Sequence, residues 1–180
     1  LDQANSPLGL RVQLRQAEAL EKDHQDEEAI ERLLRLADMG KDMAQWDVLA
    51  HANLSLARLH EKLGRAKHCY QYLHAASRAI EHHRLDSIYP RFSVRMSSYH
   101  RLYGLPDSAI FYAQEVVRTA PIWDLEEEKA VGHLLLGMLL SEDLYEIAVA
   151  HYLTAGQYWK AVQDYNGYCL LYTSDAADES

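Results

Sequence analysis

Arginines are the residues of this chain whose spacing most directly indicates a chemistry. The stretch 87–106 contains no Asp or Glu, and it carries Arg91, Arg95 and Arg101. Arg91 and Arg95 are four residues apart, so they lie on one face of a helix. Guanidinium groups donate paired hydrogen bonds to carboxylates. Arg58 and Lys62 lie on an earlier, adjacent predicted helix. Together with them, the three arginines predict a positive patch that binds an acidic peptide or a C-terminal carboxylate.

The alternative for these arginines is ordinary surface charge. They can pair with Glu61, Asp86 or Glu115, and an exposed ion pair contributes at most about 1 kcal/mol. Both interpretations stay open at the level of the sequence. Charge reversal at Arg91 and Arg95 separates them, because only a binding patch predicts weaker capture of a partner in a pull-down.

Histidines are numerous, but their spacing does not predict a metal site. The chain has ten histidines, of which the most crowded group is His60, His68, His74, His82 and His83. This group lacks the HExxH spacing, and no set of Cys, Asp or Glu completes a ligand shell. The chain also lacks the phosphate-binding, dinucleotide-binding and serine-nucleophile motifs GxxxxGK[ST], GxGxxG and GxSxG. We therefore expect no metal, no cofactor and no catalytic residue.

Composition narrows the class of protein further. The chain has 180 residues, a formal net charge of −9 and no long Lys/Arg tract, which disfavours nucleic acid or anionic lipid as the main partner. The longest apolar stretch, 130–140, is shorter than the roughly 20 residues that span a bilayer. Two cysteines give neither a disulfide framework nor a CxxC motif. We expect a helical protein in which Cys69 is a small buried residue rather than a reactive thiol.

The elements that must position these side chains repeat along the chain about every 40 residues. A small residue recurs at that spacing, at Ala29, Cys69, Ala109 and Ala148. Five residues before each stands a polar or turn-forming residue, namely His24, Gly64, Gly104 and Asp143. Apolar residues between these marks follow a 3.6-residue period, which predicts two antiparallel helices per unit. The predicted units are 8–45, 46–85, 86–124 and 125–163, with a further helix beginning at 164–168.

Large aromatic residues lie near the predicted unit boundaries. Trp46, Trp123 and Trp159, with Tyr89, are expected to fill the joints between consecutive hairpins. The aromatic residues near the end of the chain are expected to form an apolar edge that a following helix would cover. These are Tyr158, Trp159, Tyr165 and Tyr168.

Helix pairs with small residues where they cross resemble a tetratricopeptide repeat array. The first part of that family's pattern is matched by Asn53-x2-Leu56-Ala57-x2-His60 and Ser93-x2-Met96-Ser97-x2-His100. The second part is matched by Ala29-x3-Leu33, Cys69-x3-Leu73 and Ala148-x3-Tyr152. The resemblance covers about 8–168, with a 40-residue period against the family's 34. This long-period type is similar to repeats in the sensory regions of bacterial signalling proteins, which precede a histidine kinase or a DNA-binding output domain.

The resemblance implies a right-handed α-solenoid whose first helices line a concave groove for a peptide or partner helix. The implied groove residues are Arg58, Lys62, Arg91, Arg95, Ser98, Arg101 and His133, beside Arg11, Leu14, Glu18, His51 and Leu54. The implied function is a non-enzymatic interaction and sensory module, cytoplasmic or, alternatively, periplasmic. Two other functions stay open: a peptide-controlled regulator with an associated enzymatic activity, and an assembly scaffold of envelope or secretion machinery.

The two ends of the chain are expected to be breaks in a longer protein. The chain starts at Leu1 with no signal peptide pattern. Residues 169–180 resemble the in-frame translation of a transposase-based sequencing adapter, so we expect them to be a tail outside the biological sequence.

Overall fold

Eight α-helices form the part of the chain that the computed structural model describes, residues 6–141 and 144–164. They are α1 (Pro7–Lys22), α2 (Asp26–Asp42), α3 (Trp46–Lys62), α4 (Ala66–His83), α5 (Tyr89–Leu102), α6 (Pro106–Thr119), α7 (Glu126–Leu140) and α8 (Tyr145–Ala161). Short 3-10 helices, Asp86–Ile88 and Ala120–Trp123, precede α5 and α7. No strand occurs in these residues, so the all-α prediction is confirmed. None of these helices has both the length and the apolar content that crossing a membrane requires.

The turns between helices share one backbone geometry at a spacing of about 20 residues. Seven of the described residues have a left-handed backbone: His24, Ala44, Gly64, Arg84, Gly104, Asp124 and Gln163. After Gly64, the Arg65 N–H donates to the His60 carbonyl at 2.8 Å; after Gly104, the Leu105 N–H donates to the His100 carbonyl at 3.0 Å. This six-to-one hydrogen bond is the Schellman ending, which satisfies a carbonyl of the last helical turn.

The same turns also begin the next helix. The Arg65 carbonyl accepts the first helical hydrogen bond of α4, from the Cys69 N–H at 3.0 Å. The Gln25 carbonyl does the same for α2, accepting from the Ala29 N–H at 3.0 Å. Each of these two connections therefore has three residues, the middle one left-handed. A connection this short forces consecutive helices to pack side by side.

One small, buried side chain recurs in each second helix, α2, α4, α6 and α8. Ala29, Cys69, Ala109 and Ala148 are at most 1% exposed, which confirms that they are buried. Burial and the nearby Glu61 carboxylate raise the pKa of the Cys69 thiol to about 12, so this thiol stays protonated.

The chain divides into two compact units, with the boundary between Arg95 and Met96 inside α5. In the first unit, leucines of α1, α2 and α3 meet in one core, including Leu10, Leu33 and Leu56 at 0% exposure. In the second unit, Trp159 of α8 packs on Ala130 and Ala155. Each unit therefore has its own buried centre.

The aromatic residues follow the sequence prediction only in part. Trp159 is 5% exposed, so it belongs to a core instead of the predicted apolar edge. The Trp46 ring stacks on His83, with centroids 4.0 Å apart and planes at 6°. Trp123 is 44% exposed, so the prediction that it fills a joint is wrong. It is the last residue of the 3-10 helix Ala120–Trp123, whose buried residue is Ala120. Tyr165, Tyr168 and the predicted tail 169–180 lie outside the described residues.

Candidate functional site

A line of ion pairs joins the first two helix pairs of the chain. The Arg11 guanidinium of α1 lies 2.9 Å from the Asp47 carboxylate of α3. Arg58 of α3 donates to the Glu21 carboxylate of α1. Lys62 Nζ, at the end of α3, lies 2.8 Å from the carboxylate of Asp26, the first residue of α2. The partners of each pair are 36 or 37 residues apart in the chain.

These ion pairs neutralise two cations of the predicted positive patch. Arg58 and Lys62 pair with Glu21 and Asp26, carboxylates that the sequence analysis did not consider. Glu115, considered there as a partner for the patch, binds Arg118 on its own helix at 2.6 Å. The cations of α3 are therefore neutralised locally, and they contribute to the packing of α1, α2 and α3.

Arg95 joins the Arg58–Glu21 pair in a partly buried charge cluster. Burial lowers the pKa of Arg95, the positive charge of Arg58 lowers it further, and the Glu61 and Glu21 carboxylates oppose both effects. Burial likewise raises the pKa of Glu21, against the stabilising charges of Arg58 and Arg95. Two cations and two carboxylates thus balance one another. Removing one member would leave a charge poorly solvated, which is costly.

A cleft of about 610 Å³ opens between α1 and α3, next to these pairs. Its apolar lining comes from Val12, Leu14, Ala19 and Val48, and its polar lining from Arg11, Arg15, Gln16, Asp47 and His51. Arg15 points into solvent, with its side chain 72% exposed, and it pairs with Glu18 on the same helix. Arg11, Leu14 and His51 are groove residues of the sequence analysis. Val12, Arg15 and Val48 were missed there, although Arg15 lies four residues after Arg11 and Val48 three residues before His51, spacings that place them on the same helix faces.

His51 of α3 is the histidine that lines the cleft. Burial, and after it the positive charge of Arg91, lowers its pKa from 6.5 to about 4, while the Glu18 carboxylate acts in the opposite direction. The imidazole is therefore neutral near pH 7, and it can both donate and accept one hydrogen bond. Arg91 is partly buried and lies close enough to His51 to influence it electrostatically.

The remaining predicted groove residues lie in the second unit and in different surroundings. Ser98 is buried at 9% exposure, and Arg101 is exposed. His133 of α7 faces His151 of α8, with their Nδ1 atoms 2.8 Å apart. The structure therefore brings Arg58 and Arg95 into one charge cluster of the first unit, where Lys62 pairs separately with Asp26, whereas Arg101 and His133 belong to the second unit.

A histidine–tyrosine stack recurs at the repeat spacing. The His60 and Tyr72 rings are 5.2 Å apart in the first unit, and the His100 and Tyr112 rings are 5.6 Å apart in the second. Burial lowers the pKa of both histidines. Both residue pairs are offset by 40 positions, and this was the signal from which the stacks could have been found. They hold first and second helices together, so they are part of the framework of the site.

No group of three or more His, Cys, Asp or Glu residues within 6–141 and 144–164 is arranged to hold a metal ion. The comparisons with known proteins found no matching protein-family model, and no curated protein matches the chain.

Proposed function

We propose that this chain is a protein-interaction module, an α-solenoid of tetratricopeptide-like helix pairs that binds a peptide in a groove lined by first helices. The left-handed turns about every 20 residues and the buried small residues every 40 support the repeat architecture. In such an array the superhelix is right-handed, and α1, α3, α5 and α7 are the first helices. The sensory role in a bacterial signalling protein is proposed from the sequence resemblance.

The cleft between α1 and α3 is the observation that carries the proposal. It is built by two first helices, and it combines an apolar lining with exposed cations at its rim. Apolar contact supplies most of the free energy of binding, while charge at the rim selects the partner and speeds association. A cleft of this composition suits an extended segment or helix with an aliphatic residue next to an acidic one.

Charge complementarity favours an acidic ligand for this cleft. Arg11 and Arg15 are both more than half exposed, and each already has a carboxylate partner, Asp47 and Glu18. A ligand carboxylate can share these guanidinium groups, because each has five N–H donors. His51 and Gln16 add neutral hydrogen-bonding groups for the ligand backbone.

The proposal is tested with peptides selected on the whole chain. A random 12-residue phage library is panned on the immobilised protein, and the enriched peptides are labelled with fluorescein for anisotropy titrations. We expect enrichment of Asp or Glu beside an aliphatic residue. Arg15→Glu is expected to weaken binding at least about tenfold, because one rim cation becomes a repulsive charge.

Arg35→Glu is the matched control for this experiment. Arg35 is 67% exposed on α2 and pairs with Glu31, much as Arg15 is 72% exposed and pairs with Glu18, but it does not line the cleft. Arg35→Glu should leave the dissociation constant unchanged. Equal weakening by both substitutions, or by neither, would show that the peptides do not bind in the cleft.

A further inference from the structure

The first helix of the chain carries an exposed stripe that is largely apolar. Leu8, Val12 and Ala19 of α1 are exposed, Leu8 at 71% and Val12 at 50%. Gln16 lies between Val12 and Ala19, so the four positions follow one another at offsets of four, four and three residues, along one face of the helix. This α1 stripe extends over three turns, about 16 Å along the helix axis.

The repeat shows what covers the corresponding face of the next first helix. Four residues of α3 lie 40 positions later and are at most 1% exposed: Val48, Ala52, Leu56 and Leu59. They share a core with Leu33 and Leu36 of α2. The α2 backbone also lies close to α3, since a Cβ at Gly40 would come within 3.0 Å of the Leu49 nitrogen. The second helix that precedes α3 therefore packs against this face.

The same relation recurs between α6 and α7 in the second unit. Gly132 of α7 lies 80 positions after Ala52 and 120 after Val12. A Cβ at Gly132 would lie 2.9 Å from the side chain of Val116 and 3.1 Å from that of Val117, both on α6. The second helix that precedes α7 is thus in direct contact with this position. In both units the element that covers the face is a helix, whose side chains fit between the ridges of the first helix.

The rim of the α1 stripe favours a partner helix with acidic residues. Arg11 and Arg15 lie beside Val12, and both side chains are more than half exposed. A carboxylate at the edge of a docked helix can share their N–H donors. The chain contains one such contact already, because Lys62 of the first helix α3 pairs with Asp26, the first residue of the preceding second helix α2.

We propose that the ligand of the cleft between α1 and α3 is an amphipathic helix of a partner protein, which docks along α1 as α2 docks along α3. This inference rests on the proposed function, because it names the form of the ligand for the same cleft. The helix presents aliphatic or small residues, three and four positions apart, to Leu8 and Val12, and acidic residues to Arg11 and Arg15. A 12-residue helix is about 18 Å long, which matches the length of the α1 stripe.

The first test is the conformation of the 12-residue peptides selected on the whole chain. We expect the mixture of peptide and protein to show more helical circular dichroism than the sum of the two separate spectra. Proline at the centre of the peptide should weaken binding at least about tenfold, since it interrupts a helix. Proline at the first position should leave the dissociation constant unchanged, since the first turn of a helix tolerates it.

The second test is the footprint of the peptide on α1. Leu8 is part of the α1 stripe but not of the cleft lining, so it separates this inference from the proposed function. Leu8→Asp should weaken binding at least about tenfold, because a charge replaces an apolar contact. Leu153→Asp, at a position of α8 that is 64% exposed, is the matched control and should leave the dissociation constant unchanged.

A bound peptide without the helical signal would overturn this inference, and so would full affinity in Leu8→Asp. If Arg15→Glu still weakens binding in either case, the proposed function stands; if it does not, both proposals are refuted. Sedimentation velocity of the chain alone examines a different occupant. Self-association that Leu8→Asp abolishes would assign the α1 stripe to a second copy of the chain and overturn the proposal. If Leu8→Asp fails to fold, the peptide measurements decide, because they use the wild-type chain.

Discussion

At the residue scale, His51 shows how the groove controls protonation. Its imidazole sits in the cleft between α1 and α3, where solvation is poor and Arg91 adds positive charge. A ring in that position resists protonation, and a peptide bound beside it therefore meets a neutral group at pH 7. The same environment makes His51 a sensor of acid for the fold.

We predict that His51 destabilises the folded chain progressively below pH 6.5. Its folded-state pKa of about 4 lies below the ordinary value of 6.5, so the unfolded chain takes up the proton first as the pH falls. The stabilisation is complete above pH 6.5 and is lost as the pH falls through 4. Between pH 7.5 and 4.5 this amounts to about 2–3 kcal/mol of unfolding free energy.

Urea unfolding of wild type and His51→Gln at both pH values measures this loss. The variant cannot titrate at this position, so the wild type should lose about 2–3 kcal/mol more than the variant does, and contributions from other groups cancel in the difference. His82→Gln, at an exposed position, should behave like the wild type. The same acid sensitivity in wild type and His51→Gln would rule out a depressed pKa at His51.

At the element scale, the turns between helices repeat one left-handed backbone geometry. Gly64 and Gly104 adopt φ values of 67° and 76°, which glycine tolerates best, while Ala44 adopts 53° in an equivalent turn. A non-glycine residue in the left-handed region costs roughly 1–2 kcal/mol. The Schellman hydrogen bond and the packing of the flanking helices hold Ala44 there.

We predict opposite effects of exchanging glycine and alanine at these turns. Gly64→Ala should lower the unfolding free energy by about 1 kcal/mol; the cost is conformational, since a Cβ at Gly64 would meet nothing within 4 Å. Ala44→Gly should raise it by up to about 1 kcal/mol. Unfolding followed by far-UV circular dichroism measures both changes.

Ala19→Gly is the control for the turn prediction. Ala19 is an exposed residue within α1, where glycine costs about 1 kcal/mol of helix stability. The same substitution should thus stabilise the chain at Ala44 and destabilise it at Ala19. Destabilisation at Ala44 would be incompatible with a left-handed turn there.

The helices were largely predictable from the sequence, and the turns only in part. Periodic apolar residues, together with the polar or turn-forming residues His24, Gly64 and Gly104, predict where the helices end, because those residue types or their spacing indicate a turn. Ala44 and Arg84 also adopt the left-handed conformation, at φ values of 53° and 51°, yet nothing in their type indicates it. Their conformation is imposed by the helices on either side, and this effect cannot be predicted from the local sequence.

At the scale of the whole molecule, the sequence predicted which positions lie on the first helices. It did not predict which side chains contact one another in the site. The repeat spacing placed Arg11 and His51 on first helices. The pairing of Arg58 with Glu21 depends on how two hairpins pack, across 37 residues of chain. The contact of His133 with His151 likewise requires the α7–α8 crossing. Charge neutralisation and contacts between histidines are properties of packing, and spacing along the chain does not specify them.

A repeat array and a single cooperative globule respond differently to a local cavity. In an array, each unit contacts mainly its neighbours, so the effect of a core substitution declines with distance along the chain. Leu56 of α3 and Leu136 of α7 allow a matched comparison. They are buried at 0% and 4% exposure and occupy equivalent positions two 40-residue periods apart.

We predict that Leu56→Ala lowers the hydrogen-exchange protection of α1–α4 by about 2–4 kcal/mol, the cost of a buried leucine cavity, while α7 and α8 lose less than about 1 kcal/mol. Leu136→Ala should give the reciprocal pattern. Native-state hydrogen exchange of the whole chain, read by mass spectrometry of peptides from each helix, measures both. Equal loss of protection in all helices for either variant would contradict the array and indicate one cooperative unit. Reciprocal losses would instead show that stability is distributed from neighbour to neighbour, which allows a peptide bound at α1 and α3 to stabilise that part of the chain first.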